Sequence, residues 1–193
     1  MINKMNPRCV LFVLVMVSAA VVGCGSPESG SSGAAWRQKL RESLSLYGHR
    51  NWIVVADSAY PAQSRGGIET VISGAGQLEV VQEALAAVAA ARHVRPVIYT
   101  DKELSFVREE DAPGISSYRQ KLEQLLKGRE VNVLEHDQII SRLDEAGQTL
   151  RVLIIKTDMT LPYTSVFFQL DCGYWTAEAE KRLRAAMPAS PKK

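Results

Sequence analysis

The sequence predicts an α/β domain in which a mostly parallel sheet is flanked by helices. Three observations carry this. Short apolar runs rich in Val and Ile alternate with stretches whose apolar residues recur at helical spacing. Gly48, Pro61, Gly67, Gly128 and Pro162 punctuate the junctions between them. Polar residues able to do chemistry stand where the short runs end, and open parallel sheets build their sites there.

Taken in order, Trp36, Leu40, Leu44 and Tyr47 repeat at helical spacing, and Gly48 follows where a helix ends. Trp52 to Ala56 is a buried strand, entered by His49 and left by Asp57, with Ser58 to Pro61 as turn chemistry. Pro61 to Gly67 reads as a loop; its paired glycines beside Arg65 lack phosphate-loop spacing. Leu78 to Ala91 is apolar nearly all round, a helix packed on both sides. Val94 to Tyr99 is the second strand, ending at Thr100-Asp101. Ser116 to Lys127 is amphipathic, with Tyr118, Leu122, Leu125 and Leu126 inward, and Gly128 closes it. Val131 to Leu134 is the third strand, with Glu135-His136-Asp137 at its end. A helix over Gln138 to Ala146, strands over Leu150 to Ile155 and Val166 to Leu170, and a helix over Thr176 to Met187 complete the fold. Lys156 to Ser165 connects the last two strands as a polar, proline-containing segment.

The N-terminus has a different character. A basic lead ending at Arg8 is followed by a nearly unbroken apolar run to Gly23, the plan of a signal peptide and too short for a comfortable membrane span. Val21-Val22-Gly23-Cys24 resembles a bacterial lipobox, which makes residues 1–23 a lipoprotein signal peptide and Cys24 the lipidated first residue of the mature chain. An ordinary secretory signal with an incidental Cys is the other reading. Residues 24–33 then form the lipidated Cys and a Ser/Gly-rich tether, 34–175 the folded domain, and 176–193 a C-terminal helix and tail. The expected location is the bacterial cell envelope, anchored by lipid at a periplasmic or outer-membrane face.

Charge and cysteine usage exclude other classes. Of 23 Lys and Arg, only Lys4 and Arg8 lie in the signal, so 21 basic residues face 21 acidic ones in the mature chain. Without a basic stripe, nucleic acid is not an expected partner. Three Cys less Cys9 and Cys24 leave Cys172 alone, so no intrachain disulfide is possible. Cys172 reads as a small buried side chain rather than a nucleophile. No metal is expected, because nothing like His-x-x-x-His or paired Cys occurs, and the Gly-x-Ser-x-Gly elbow of hydrolases is absent.

Of the three His, His93 stands at a helix end, where a surface role facing the dipole suffices. His49 and His136 stand at strand ends beside acidic or turn residues, which points to proton transfer near neutral pH. His49 and Asp57 lie at opposite ends of one strand, so they can act together only if a substrate or another subunit lies between them. The plainer readings remain alongside: His49 as a surface residue, Asp57 as a turn cap, Tyr163 as packing.

The order Gly48-His49, apolar strand, Asp57-Ser58-Ala59-Tyr60-Pro61, then Glu135-His136-Asp137, then Lys156 followed by Pro162-Tyr163-Thr164-Ser165, resembles the RbsD/FucU family of D-ribose pyranases and L-fucose mutarotases. The resemblance spans roughly residues 40–172. It implies an α/β sugar-binding fold that assembles into cyclic homo-oligomers, with each pocket completed by a neighbouring subunit and no cofactor. It further implies that His49 is a proton donor, that His49 and Asp57 are catalytic, and that Asp57, His136, Lys156, Tyr163 and Ser165 bind a ribose- or fucose-like monosaccharide. The implied activity is ring opening and closure of a sugar hemiacetal by His/Asp general acid-base chemistry. The alternatives are a non-catalytic monosaccharide-binding envelope lipoprotein and a purely structural ring. Ser58-Ala59 stands where the family has Ala-Gly, Lys156 where it has Arg, and Ser165 where it has Asn.

Overall fold

Every side chain of the strand Trp52–Ala56 is buried. A strand with no polar face needs apolar cover above and below it, and the chain supplies both layers. The computed structural model describes residues 30–188, with side chains from residue 34 onward. The elements follow in the order α1 (Gly30–Leu46), β1 (Trp52–Ala56), β2 (Ile68–Ile72), α2 (Gln77–Ala90), β3 (Val94–Asp101), a 3₁₀ turn (Lys102–Ser105), α3 (Ile115–Leu126), β4 (Val131–Leu134), α4 (His136–Thr149), β5 (Val152–Lys156), β6 (Val166–Cys172) and α5 (Ala177–Ala186).

The six strands form one sheet in the order β2-β5-β1-β6-β3-β4. β2 and β1 both pair parallel with β5, and β3 pairs parallel with β4. β6 alone runs the other way, antiparallel to β1 on one side and β3 on the other. The expected mostly parallel sheet is thus a mixed one, with a single reversed strand near its middle.

Alternation along the strands divides the core. Ile53, Val55, Leu153, Ile155, Val166 and Phe168 face a cluster with Trp36 and Leu40 of α1, Val80, Val81 and Leu85 of α2, and Tyr118 and Leu122 of α3. Trp52, Val54, Ala56, Val152, Ile154 and Phe167 face the other way, onto Ile139, Leu143 and Ala146 of α4. Gly67 is required by this second layer. A Cβ there would collide with the backbone carbonyls of Leu150 and Gly147, so only glycine lets the chain enter β2 so close to the end of α4.

Three sequence expectations change. No strand is expected over β2, because Ile68-Glu69-Thr70-Val71-Ile72 is half exposed and pairs on one edge only, which leaves no buried run in the sequence. The tether assigned to residues 24–33 gives way to helix from Gly30, so its last four residues extend α1 despite their Gly/Ser composition. Helix α4 begins at His136, two residues before the expected Gln138. α5 forms as expected, with the Thr176 hydroxyl accepting a hydrogen bond from the Ala179 N–H at 3.1 Å, but it buries none of its side chains. Cys172 is free and half-buried at the end of β6. The signal peptide, Cys24 and the first part of the tether lie outside the described residues.

Phe168 is fully buried at the centre of the sheet, and Phe168→Ala is expected to cost about 3–5 kcal/mol. Urea unfolding followed by circular dichroism measures this, and a loss under about 1 kcal/mol would contradict the packing described.

Candidate functional site

One edge of the sheet gathers most of the polar candidates. β1, β3, β4 and β5 end there, and β6 begins there because it is reversed. Asp57 follows β1, Asp101 ends β3, His136 opens α4 just after β4, Lys156 ends β5, and Tyr163 to Ser165 lead into β6.

Asp57 is held by its own turn and by the loop before β6. Its Oδ1 accepts from the Ala59 backbone N–H at 2.9 Å, and its Oδ2 accepts from the Ser165 hydroxyl at 3.1 Å. Lys156 donates from Nζ to the Tyr60 carbonyl at 2.7 Å, which keeps its ammonium beside the Asp57 turn. The Tyr60 phenol is buried below, and burial pushes its pKa up to about 12, so it stays protonated.

His136 forms the second half of the cluster. Its Nδ1 lies 3.1 Å from Oδ1 of Asp101, whose side chain is fully buried. Oδ2 of Asp101 is buried without a partner. Burial raises the Asp101 carboxyl to about 6, against the pull of the neighbouring imidazole. Glu103 takes the His136 backbone N–H at 3.1 Å from both carboxylate oxygens, placing negative charge at the start of α4. The Tyr163 ring meets the imidazole edge to face, with centroids 5.6 Å apart.

Tyr163 has φ +57, a left-handed conformation that costs a non-glycine residue about 1–3 kcal/mol and persists only where its surroundings enforce it. Here they do. The Thr164 carbonyl accepts from the Tyr118 hydroxyl at 2.7 Å and from the Gln77 amide at 2.8 Å, and the Thr164 hydroxyl donates to the Leu161 carbonyl at 2.9 Å. The same Gln77 amide donates to the Val55 carbonyl at 3.0 Å, while its oxygen accepts from the Thr157 hydroxyl. One buried side chain therefore ties the end of β1, the loop after β5 and the loop before β6 together.

Asp57, His136, Lys156, Tyr163 and Ser165 are thus brought together, and His49 is not. It sits at the opposite edge, one strand length away, about 17 Å for five residues. There its Nδ1 lies 2.9 Å from Asp171, which also receives Arg95 at 2.9 and 2.6 Å. Burial opposes ionisation of Asp171, but Arg95, the Cys172 backbone N–H and His49 together hold its carboxyl below the ordinary range. Arg50, with φ +76, makes the turn from His49 into β1. His93 points Nε2 at the Leu44 and Tyr47 carbonyls, 3.1 and 3.0 Å away, at the C-terminal end of α1. Among the described residues no group of three or more His, Cys, Asp or Glu is arranged to hold a metal ion.

The sequence reading missed Asp101, Glu103, Gln77 and Thr157. Asp101 ends a strand, the same signal that selected Asp57 and His136. Gln77 and Thr157 carry no such signal, because their role is set by what the fold stacks around them.

A family model described as the RbsD / FucU transport protein family matches residues 34–173. Among solved structures, the chain is similar to Bacillus subtilis RbsD complexed with D-ribose, at 21% identity over 72% of this chain and 93% of that one, with a TM-score of 0.48. It is similar to the fucose mutarotase in complex with L-fucose from Streptococcus pneumoniae, at 21% identity, the same coverage and a TM-score of 0.47. FucU from Bifidobacterium longum matches at 17% identity over 68% of this chain and 90% of that one, with a TM-score of 0.44. No curated protein matches the chain.

The buried Asp101 predicts a pH dependence of stability. Its folded pKa, about 6, lies above the ordinary 3.8, so the native state holds this proton more tightly than the unfolded chain. The stability so gained is complete below 3.8 and is lost as pH rises through about 6. Asp101→Asn removes this contribution, so wild type should lose stability relative to the variant across that range. Unfolding of both proteins at stepped pH tests this, and parallel profiles overturn it.

Proposed function

The chain belongs to the RbsD/FucU family, and from that premise we propose that it interconverts the ring forms of a monosaccharide at the polar cluster on the C-terminal edge of its sheet. The observation that carries this reading is the gathering at one edge of the Asp57–Ser165 pair and of His136 with Asp101 and Tyr163 around it.

Ring opening requires a base to take the proton of the anomeric hydroxyl. The bond from C1 to the ring oxygen then breaks, its electron pair stays on that oxygen, the C1 carbonyl forms, and an acid protonates the ring oxygen. No net proton is consumed and no cofactor is needed. A positioned acid or base contributes about 10²–10⁴-fold to such a step. Asp57 and Lys156 hold sugar hydroxyls, Ser165 holds Asp57, and Tyr163 offers a ring face and a hydroxyl. His49 enters from a neighbouring copy as the proton donor, which requires the chain to assemble into a ring. The presence of His49 and the Asp57 cluster on opposite edges of one sheet supports that arrangement.

A second reading, a binding protein without catalysis, is favoured by the self-contained state of the cluster. Both Asp57 oxygens and the Lys156 ammonium are already occupied by protein partners.

Exchange NMR on anomeric protons separates the two readings, with D-ribose and L-fucose, the sugars bound in two of the similar structures, as first probes. The expected result is accelerated exchange, reduced on the order of 10²-fold in Asp57→Asn or His49→Ala. Saturable binding with unchanged exchange overturns the catalytic reading.

We further propose that Cys24 anchors the protein to the bacterial envelope through lipid. Wild type expressed in a bacterial host should fractionate with membranes and carry acyl mass on its N-terminal peptide, and Cys24→Ser should lose both. An unmodified, soluble wild type overturns the anchor.

A further inference from the structure

Fixing one nitrogen of an imidazole sets which nitrogen is presented for proton transfer, and in His136 the two nitrogens have very different surroundings. Nδ1 faces the Asp101 carboxylate at 3.1 Å. Nε2 has no partner among the described residues, and the side chain is about one-third exposed. Asp101 itself is fully enclosed, and its other oxygen is unpaired. A carboxylate with no second partner gains its only side-chain hydrogen bond from the imidazole, so Nδ1 carries the hydrogen and Nε2 presents a lone pair.

Two further contacts hold the residue in place. Glu103 fixes the His136 backbone N–H, and the Tyr163 ring packs edge to face. The charged and titratable groups around the pair come from every adjoining element. Asp57 follows β1, Lys102 and Glu103 come from the 3₁₀ turn, and Glu135 and Asp137 flank His136 itself, with Lys102 paired to Glu135 at 3.1 Å. Tyr60 and Tyr163 add phenols. The phenols are uncharged, and the carboxylates of Asp57, Glu103, Glu135 and Asp137 outnumber the Lys102 ammonium, so negative charge surrounds the imidazolium that forms when Nε2 accepts a proton.

Resting on the ring-opening reading above, we propose that Asp101 is the positioning residue of the site: it fixes the tautomer of His136 and makes Nε2 the proton acceptor of the reaction. Nε2 takes the anomeric hydroxyl proton as the bond from C1 to the ring oxygen breaks. The ring oxygen receives its proton from the donor, His49 of a neighbouring copy. Asp101 stabilises the imidazolium until closure returns the proton. His136 thereby acquires a catalytic role in place of the binding role its sequence position implies.

The test begins with imidazole ¹⁵N NMR of the wild-type protein, which needs neither sugar nor variant. Neutral His136 should be in the Nδ1–H tautomer. Asp101→Asn should shift His136 toward the Nε2–H tautomer and cut anomer exchange on the order of 10²-fold with little change in sugar affinity. An Nε2–H tautomer in the wild type, or an Asp101→Asn variant with unchanged tautomer and exchange rate, overturns the positioning role. Wild-type protein that accelerates no exchange overturns the ring-opening reading and the transfer role of Nε2, while the tautomer measurement still decides what Asp101 does to the ring.

Discussion

The reversed direction of β6 is the constraint on which the site depends. Five strands run one way and end at a common edge, where their C-terminal loops gather Asp57, Asp101, His136 and Lys156. A sixth parallel strand would begin at the far edge. Because β6 lies antiparallel between β1 and β3, the residues just before it arrive at the near edge, and Ser165 comes within 3.1 Å of Asp57. The same reversal carries Asp171, near the other end of β6, to the edge where His49 and Arg95 stand. One strand thus furnishes a polar partner to each edge of the sheet.

Keeping the near edge in order takes buried hydrogen bonds. Gln77 is 1% exposed, and its amide satisfies the Val55 and Thr164 carbonyls. Each carbonyl left unpaired would cost about 1–3 kcal/mol, so the loop before β6 has one favourable position. That position forces Tyr163 into its left-handed conformation and aims its ring at His136. Backbone strain at Tyr163 and the desolvation of Asp101 are both unfavourable to folding. The fully buried strands β1 and β5 and the two helical layers over them offset these costs.

Most of the fold was legible from local pattern. β1 and β5 are apolar runs because strands covered on both faces have no solvated side to mark with polar residues, and α2, α3 and α4 keep their spacing because each buries one stripe. β2 was illegible for the opposite reason: an edge strand with Glu69 and Thr70 exposed has neither a buried run nor an obligatory alternation. α1 began earlier than composition suggested, since a helix once nucleated by Trp36, Leu40 and Leu44 propagates into weak helix formers at small cost.

The sequence by itself determined the residue types of the site and their order along the chain, because strand ends are marked by the change from apolar to polar residues. Tertiary structure alone decided which of them meet. His49 and Asp57 are close in sequence and separated by a rigid strand, whereas Asp57 and Ser165 are 108 residues apart and share a hydrogen bond. Asp101 gives the sharpest case. Its position was visible as a strand end, but its burial, its unpaired oxygen and its grip on His136 arise from the layering of β3, the 3₁₀ turn and α4, and no local pattern encodes them.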